Sequence, residues 1–174
     1  MSWSKSGRFL CYATEAEAEN VVQINIYDTI EGKARRYSVP FARQNESISS
    51  IYISDNGEDA VIVKRWSQGS VLEYGEWREN EFVIQYRHPI SDNQWVEWIH
   101  PDQIAFTGGD GMLYAYDRRN DALSVLLNDV GRFRLSNDRK LIAYTQGGDT
   151  VYAARLYGNN VLDMKQIYKG IEAY

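Results

Sequence analysis

The sequence predicts an all-β protein made of four successive copies of one strand-rich unit. Three observations carry this prediction. Apolar residues alternate with polar residues over short stretches, polar or glycine-containing turns separate the stretches, and the whole pattern recurs with a mean spacing of 44 residues. A chain of 174 residues is long enough to bury a core and short for two average domains, so we expect one domain, residues 1–174.

The composition excludes several classes of protein. With 44% hydrophobic residues, 25% charged residues and 3 prolines, the chain is neither disordered nor collagen-like. The 19 basic and 24 acidic residues give a net charge of −5, which offers nucleic acid or anionic lipid no broad attraction. No stretch has the length of a membrane span or of a signal-peptide core. The compartment stays open: cytoplasmic for the chain as it stands, extracytoplasmic if it belongs to a larger parent.

The first half of each unit reads as a hairpin that begins at a serine or its equivalent. The four segments are SWSKSGRFLCY (2–12), IYISDNGEDAVIV (51–63), WIHPDQIAF (98–106) and RLSNDRKLIAY (134–144). Their turns open at Ser4, Ser54, His100 and Ser136, with separations of 50, 46 and 36 residues, in the range of four-stranded blade repeats. A helical repeat would need apolar residues three and four positions apart, and these segments alternate instead.

The second half of each unit supplies two more strands. Residues rich in β-branched and aromatic side chains are followed by a polar turn and then a fourth strand. Four units of four strands make about sixteen strands. We therefore predict a β-propeller of about four four-stranded antiparallel blades, with approximate limits 1–45, 46–91, 92–130 and 131–174.

The hairpins resemble those of the TolB-like, WD-type β-propeller repeat, whose blades carry Ser-Pro-Asp-Gly-Lys-x-Ile-Ala-Tyr. Residues 136–144 are the closest match and residues 4–8 come next. Three units lack the proline, His100 replaces serine in the third unit, and the second unit is degenerate. The resemblance covers essentially the whole chain. It implies protein-interaction scaffolds, some of them periplasmic, and propeller domains attached to peptidases.

The segment 171–174, IEAY, reads like the inner strand that is missing before Ser4. In one interpretation, this segment completes the first blade and closes a four-bladed ring, which removes exposed sheet edges. In the other, the chain is part of a larger ring, or half of a ring that pairs with a second copy. Self-association is expected if the ring is incomplete.

Side chains suited to catalysis are few. His88 and His100 lie in different units, without cysteines or carboxylates at metal-ligand spacing, and His100 is expected to open a hairpin turn. The chain has no Gly-x-Ser-x-Gly motif. Cys11, the single cysteine, lies between Leu10 and Tyr12 and is expected in the core. We expect no catalytic residue, no metal site and no cofactor.

We interpret two loops and several basic pairs as parts of turns and strands rather than as binding sites. Residues 55–59 are oxygen-rich like a calcium loop, but they lack the full pattern and fall where the repeat needs a turn. The glycine run 108–111 precedes a strand, whereas phosphate-binding loops open a helix. The basic pairs are scattered over all units, so we expect no nucleic-acid partner.

Aromatic residues give the strongest suggestion of binding. Of the 5 tryptophans, four lie within 33 residues: Trp66, Trp77, Trp95 and Trp98. Tryptophans at a loop end can anchor a protein or stack on a sugar, and the alternative is packing between blades. We expect Trp98 in the core and take Trp66, Trp77 and Trp95 as candidate binding residues, with Trp66 and Trp77 exposed beside turns.

The leading functional hypothesis is a non-enzymatic propeller scaffold that binds another protein. A second hypothesis is binding of a carbohydrate or small ligand by an aromatic loop face. A third is that the chain is the propeller part of a larger peptidase-associated protein. Fold alone does not decide among them.

Overall fold

The computed structural model describes residues 1–15, 20–91 and 94–170, and these residues form β-strands and turns without a helix. The all-β prediction is confirmed. None of the described residues belongs to an apolar helix of bilayer-spanning length. The chain divides into two compact units, Met1–Asp92 and Asn93–Tyr174, and each is described by itself.

The first unit contains eight antiparallel strands arranged as two meanders. The strands are β1 (Ser2–Trp3), β2 (Phe9–Glu15), β3 (Val21–Asp28), β4 (Lys33–Pro40), β5 (Ser47–Ile53), β6 (Asp59–Trp66), β7 (Gly69–Arg78) and β8 (Glu81–Ile90). The first meander is β1–β4 and the second is β5–β8. One parallel bridge between Ser38 and Glu81 joins β4 to β8, so the strand order is β1-β2-β3-β4-β8-β7-β6-β5.

The two meanders of this unit bury one shared core. The first meander contributes Phe9, Cys11, Ile24, Ile26, Tyr37 and Val39, and the second contributes Ile51, Ile53, Ala60, Ile62, Trp77 and Phe82. Strand β6 is buried on both faces, which explains why its sequence is a continuous apolar run. Cys11 is fully buried, and burial raises the pKa of its thiol to about 12. Its prediction as a core residue is confirmed.

Serine and glycine shape the hairpin turns that repeat in the sequence. Ser4 Oγ accepts a hydrogen bond from the Phe9 amide at 3.1 Å, and Gly7 N–H donates to the Ser4 carbonyl at 2.9 Å. Ser54 and Gly57 make the equivalent turn between β5 and β6. Both glycines have positive φ angles, 75° and 72°, which glycine adopts without a Cβ penalty. The part of the sequence that repeats is therefore the part that forms this turn.

A buried ion pair lies on the core-facing side of the second meander. Lys64 Nζ is 2.9 Å from Glu73 Oε2, and each side chain is 3% exposed. Lys64 also donates to the Pro40 carbonyl at 3.1 Å, which links the second meander to the end of β4. Arg87 Nε donates to Glu73 Oε1 at 2.9 Å from a more exposed position. These bonds compensate the two charges for their loss of hydration.

The second unit also contains two four-stranded antiparallel meanders, here as separate sheets. Its strands are β9 (Val96–His100), β10 (Gln103–Thr107), β11 (Leu113–Asp117), β12 (Ala122–Leu127), β13 (Val130–Leu135), β14 (Leu141–Gln146), β15 (Thr150–Tyr157) and β16 (Asn160–Lys169). The third meander is β9–β12 and the fourth is β13–β16. Their shared core includes Ala105 and Leu113 from the third meander and Phe133, Ile142 and Tyr144 from the fourth.

Both units pair their meanders in the same way. The first strand of one meander lies beside the first strand of the next, β1 beside β5 and β9 beside β13. The last strands also lie side by side, β4 beside β8 and β12 beside β16. In each unit, one face of a meander thus packs on a face of the next.

The structure differs from the predicted blade pattern at two places. The first two predicted blades share an eight-stranded sheet, because the turn after β7 reaches the edge of β4. Strand β1 spans two residues and leaves the rest of β2 without an inner neighbour among the described residues. The closing strand predicted at 171–174 lies outside the described residues. The single domain and its blade limits stay predictions.

Replacing Lys64 with methionine should lower the free energy of unfolding by up to about 3–5 kcal/mol, because the buried Glu73 carboxylate loses Lys64 and keeps only the more exposed Arg87 as a cationic partner. Urea unfolding of the purified chain measures this change. The double variant Lys64→Met with Glu73→Leu should recover much of the loss. Arg87→Ala, at the exposed end of the same network, should cost about 1 kcal/mol or less. A Lys64→Met cost equal to that of Arg87→Ala would show that the pair is not buried in solution.

The two turn glycines form a matched pair for testing how the meanders meet. A Cβ on Gly57 would lie 2.6 Å from the Phe9 ring, whereas a Cβ on Gly7 meets nothing within 4 Å. Gly7→Ala should therefore cost only the backbone strain of about 1–2 kcal/mol. Gly57→Ala should cost about 1–3 kcal/mol more, because the Phe9 ring must move. Equal losses in urea unfolding would contradict the packing of Phe9 beneath this turn.

Candidate binding site

Trp77 is a core residue. Its side chain is 8% exposed and its ring centroid lies 4.7 Å from those of both Tyr37 and Phe82. The expectation that Trp77 is exposed beside its turn is wrong. Its position on β7 faces the shared core of the first and second meanders, and proximity to a turn does not change the face to which a strand residue points.

Trp66 is half-buried under a neighbouring loop. The Arg43 guanidinium lies 4.1 Å from the centroid of the Trp66 ring, and a Cβ on Gly69 would lie 3.3 Å from that ring. Glu46 holds Arg43 in place, because its Oε1 accepts from Arg43 Nη1 at 3.1 Å and its Oε2 accepts from the Ala42 amide at 2.6 Å. The Trp66 ring is therefore in contact with Arg43 of its own unit.

Trp95 is half-buried immediately before β9 and packs against the core of the third and fourth meanders. Two hydrogen bonds between the Trp95 backbone and Thr107 fix its position. The Trp95 amide donates to Thr107 Oγ1 at 2.9 Å, and the Thr107 amide donates to the Trp95 carbonyl at 3.0 Å. The residue that carries the indole is therefore hydrogen-bonded to β10.

Two arginines of β13 lie against the Trp95 ring. The guanidinium carbons of Arg132 and Arg134 are 5.7 and 4.7 Å from the ring centroid. Arg134 Nη1 also donates to Glu97 Oε1 at 2.9 Å. Arg132 is exposed, and no ion pair to it is found within the described parts of the chain. We call Trp95, Glu97, Arg132 and Arg134 the Trp95 cluster.

The chemistry of this cluster suits recognition of another molecule. Tryptophan and arginine are the side chains most enriched at the energetic centres of protein interfaces. A guanidinium stacked on an indole is held in place at little entropic cost, and its N–H groups stay available for a carboxylate. Glu97 neutralises Arg134, which leaves the charge of Arg132 for a partner.

The predicted tryptophans do not form one cluster in the structure. Trp98 is buried, and its assignment to the core is confirmed. Trp66 and Trp77 belong to the first unit, whereas Trp95 belongs to the second. Trp3, which is 54% exposed, and the two arginines beside Trp95 were not among the predicted site residues. The segment VGRFRL (130–135) did contain a signal for the two arginines. They are two positions apart, which places Arg132 and Arg134 on the same face of a strand.

The histidines make local hydrogen bonds. His100 opens the β9–β10 turn, as predicted, and its Nδ1 accepts from the Asp102 amide at 3.2 Å. Burial and the nearby Arg119 lower the pKa of His100. His88 Nδ1 lies 2.9 Å from the Tyr86 hydroxyl. Within residues 1–15, 20–91 and 94–170, no three His, Cys, Asp or Glu side chains are grouped closely enough to hold a metal ion.

The oxygen-rich segment 55–59 forms the turn between β5 and β6 together with the first residue of β6. Asp55 Oδ1 accepts a hydrogen bond from the Ser6 amide at 2.8 Å, which joins this turn to the β1–β2 turn. The segment thus connects the first and second meanders.

Comparison with known proteins relates the chain to others by its fold. Neither a protein-family profile nor a curated protein matches the sequence. An uncharacterized protein from Listeria monocytogenes EGD-e is similar in structure, with a TM-score of 0.59 and 14% identity over 97% of this chain and 53% of that one.

Two peptidase structures are similar as well. A prolyl endopeptidase aligns with a TM-score of 0.56 and 11% identity, over 95% of this chain and 29% of that one. The tricorn protease aligns with a TM-score of 0.55 and 13% identity, over 98% of this chain and 22% of that one. The chain therefore spans about half of the Listeria protein and less than a third of each peptidase. Both peptidases contain β-propeller domains, and the likeness shows that this chain has a β-propeller-like fold.

Proposed function

We propose that this chain is a non-enzymatic β-propeller module that binds another protein through the Trp95 cluster. The observation that carries the proposal is the position of Trp95, fixed by Thr107 and stacked with Arg132 and Arg134 at the surface of the second unit. A pre-positioned indole with an unneutralised guanidinium beside it has the composition and rigidity of an interface anchor.

The non-enzymatic part of the proposal rests on how the reactive side chains are used. Cys11 is buried with a raised pKa, which suppresses its thiolate. His100 holds a turn by accepting the Asp102 amide. Neither group is arranged as a nucleophile with an adjacent base, the geometry that covalent catalysis requires.

We further propose that the four meanders are four blades of the TolB-like type. The hairpin turn supports this assignment, because Ser4, Ser54 and Ser136 each accept a hydrogen bond from the residue five positions later. The Ser136 turn places Arg139 at the glycine position, with a φ of 61°. The repeat therefore keeps its backbone geometry where its sequence departs from the family pattern.

Carbohydrate binding is the weaker alternative. A sugar needs an open aromatic face, whereas Trp77 is buried and the rings of Trp66 and Trp95 each contact arginine. A shift of tryptophan fluorescence on a glycan panel would revive this alternative.

A peptidase-associated role is a second candidate, favoured by the likeness to a prolyl endopeptidase and to the tricorn protease. Proteins of that kind combine a propeller with a catalytic domain, and this chain spans 29% of the prolyl endopeptidase chain and 22% of the tricorn protease chain. A catalytic domain encoded in the same gene would establish it. In that case the Trp95 cluster would be tested as a contact to that domain.

Charge reversal at Arg132 tests the proposed interface. Affinity capture with the wild-type chain, followed by quantitative mass spectrometry, identifies bound proteins, and titration with each purified candidate measures its affinity. Arg132→Glu should weaken binding at least about tenfold, because one charge-assisted contact to a partner is replaced by repulsion. The side chain is exposed, so folding should be unchanged.

Lys33→Glu is the matched control, since Lys33 is an exposed cation of the first unit. It should leave the same affinity within about twofold. A partner whose affinity is unaffected by Arg132→Glu would show that the Trp95 cluster is not the interface.

A further inference from the structure

The turn between β5 and β6 contains the one asparagine in the sequence that is followed by glycine, the pair Asn56 and Gly57. Asn56 is exposed and Gly57 is buried. In such a pair the glycine amide nitrogen can attack the side-chain carbonyl carbon of the asparagine, because glycine has no side chain to hinder the approach. Among the asparagines of this chain, Asn56 is therefore the one whose neighbour hinders this attack least.

The folded turn holds both reacting groups in hydrogen bonds. The Gly57 amide donates to the Ser54 carbonyl at 3.1 Å. The Asn56 side-chain oxygen accepts from the Glu58 amide at 2.9 Å and from the Ser54 hydroxyl. The Gly57 nitrogen must leave its bond to Ser54 before it can attack, so the reaction requires the turn to open. A short turn opens at a smaller free energy than the whole fold does.

The equivalent turn between β13 and β14 shows how an aspartate fits at this position. Asp138 stands there in place of Asn56, and its Oδ1 accepts from the Ser136 hydroxyl at 2.6 Å and from the Lys140 amide at 3.1 Å. Asn56 makes the same two bonds in its own turn. The hydrogen bond from the Ser136 hydroxyl lowers the pKa of Asp138, which favours its carboxylate form. An aspartate at position 56 would therefore keep the turn.

A longer main chain would not fit in the same place. A Cβ on Gly57 would lie 2.6 Å from the Phe9 ring, and the Gly57 carbonyl accepts from Arg35 Nη2 at 3.2 Å. On the other side, the Glu58 carbonyl accepts from the Trp77 amide at 2.9 Å. An isoaspartyl residue carries the main chain through its Cβ and Cγ, which adds one atom to the backbone path. Gly57 would then have to move away from Phe9 and Arg35 of the first meander.

We propose that Asn56 is a deamidation site whose product decides how firmly the first and second meanders are joined. The Gly57 nitrogen forms a bond to Asn56 Cγ, its proton leaves with the side-chain nitrogen as ammonia, and a five-membered succinimide ring remains. Water then opens the ring at one of its two carbonyls. Cleavage of the new N–Cγ bond gives aspartate, and cleavage of the original peptide C–N bond gives isoaspartate. The reaction consumes only water and is independent of the proposed function.

Peptide mass spectrometry, after incubation of the folded chain in mildly alkaline buffer, tests the site. The peptide that contains Asn56 should gain the mass difference between an amide and a carboxyl group before any other asparagine does. Asn137 is the internal control, because it lies in the equivalent turn but is followed by Asp138. Asn56→Gln should leave the peptide unchanged, since a longer side chain would need a larger ring. In urea the wild-type peptide should react faster, because the turn is open.

Urea unfolding of the separated products tests the effect on the fold. Asn56→Asp reproduces the aspartyl product, and its folding equilibrium constant should lie within about threefold of the wild-type value. Ion-exchange chromatography of the incubated chain isolates the isoaspartyl product, whose folding equilibrium constant should be at least about tenfold lower than that of Asn56→Asp.

Three results would overturn the proposal. One is a folded chain whose Asn56 peptide keeps its mass while the chain in urea reacts at this position. Another is earlier deamidation at Asn137 than at Asn56. The third is an isoaspartyl chain as stable as Asn56→Asp, which would show that the β5–β6 turn accepts the longer main chain without losing its contact with Phe9.

Discussion

The packing of one four-stranded sheet face on the next is the constraint on which this structure depends. A single meander buries too little apolar surface to be stable by itself, whereas two meanders face to face enclose a continuous core. In the first unit that core joins Phe9 and Ile24 of the first meander to Ile62 and Trp77 of the second. The strand sequences, the turns and the exposed surfaces all follow from which faces are paired.

The same packing positions the Trp95 cluster. Because the first strands of neighbouring meanders lie side by side, the start of β9 comes close to β13. Trp95 and Arg134 are thereby brought together although 39 positions separate them in the sequence. Thr107 on β10 then fixes the backbone of Trp95. The proposed recognition surface lies where two sheets meet: Arg132 and Arg134 project from β13, and the Trp95 backbone is hydrogen-bonded to Thr107 on β10.

Local chemistry made much of the fold predictable. The serine that opens three of the four hairpins, and the glycine or substitute with positive φ in those turns, are properties of a few consecutive residues, so the repeat and the succession of strands along the chain could be predicted. His100 could be placed for the same reason. Cys11 was predicted in the core from its apolar neighbours and Trp98 from its position in the repeat, and both are buried.

Features that depend on contacts between distant residues were not predictable. Trp77 was expected at the surface because it precedes a turn, yet Tyr37 of another meander covers it. The arginines beside Trp95, the Lys64–Glu73 pair and the bridge from β4 to β8 all join segments far apart in sequence. Alternating apolar and polar residues show which side chains share a face of a strand. They do not show which distant residues pack against that face.

Native-state hydrogen exchange tests the central claim, that paired meanders share a core and unfold together. Amides of β2, β3, β6 and β7 should exchange with one common opening free energy, since removing either meander exposes the core of the other. Amides of β16, whose side chains are largely exposed, should exchange through smaller openings. If β2 and β3 open at a distinctly lower free energy than β6 and β7, the first meander is not held by a shared core, and the account is wrong.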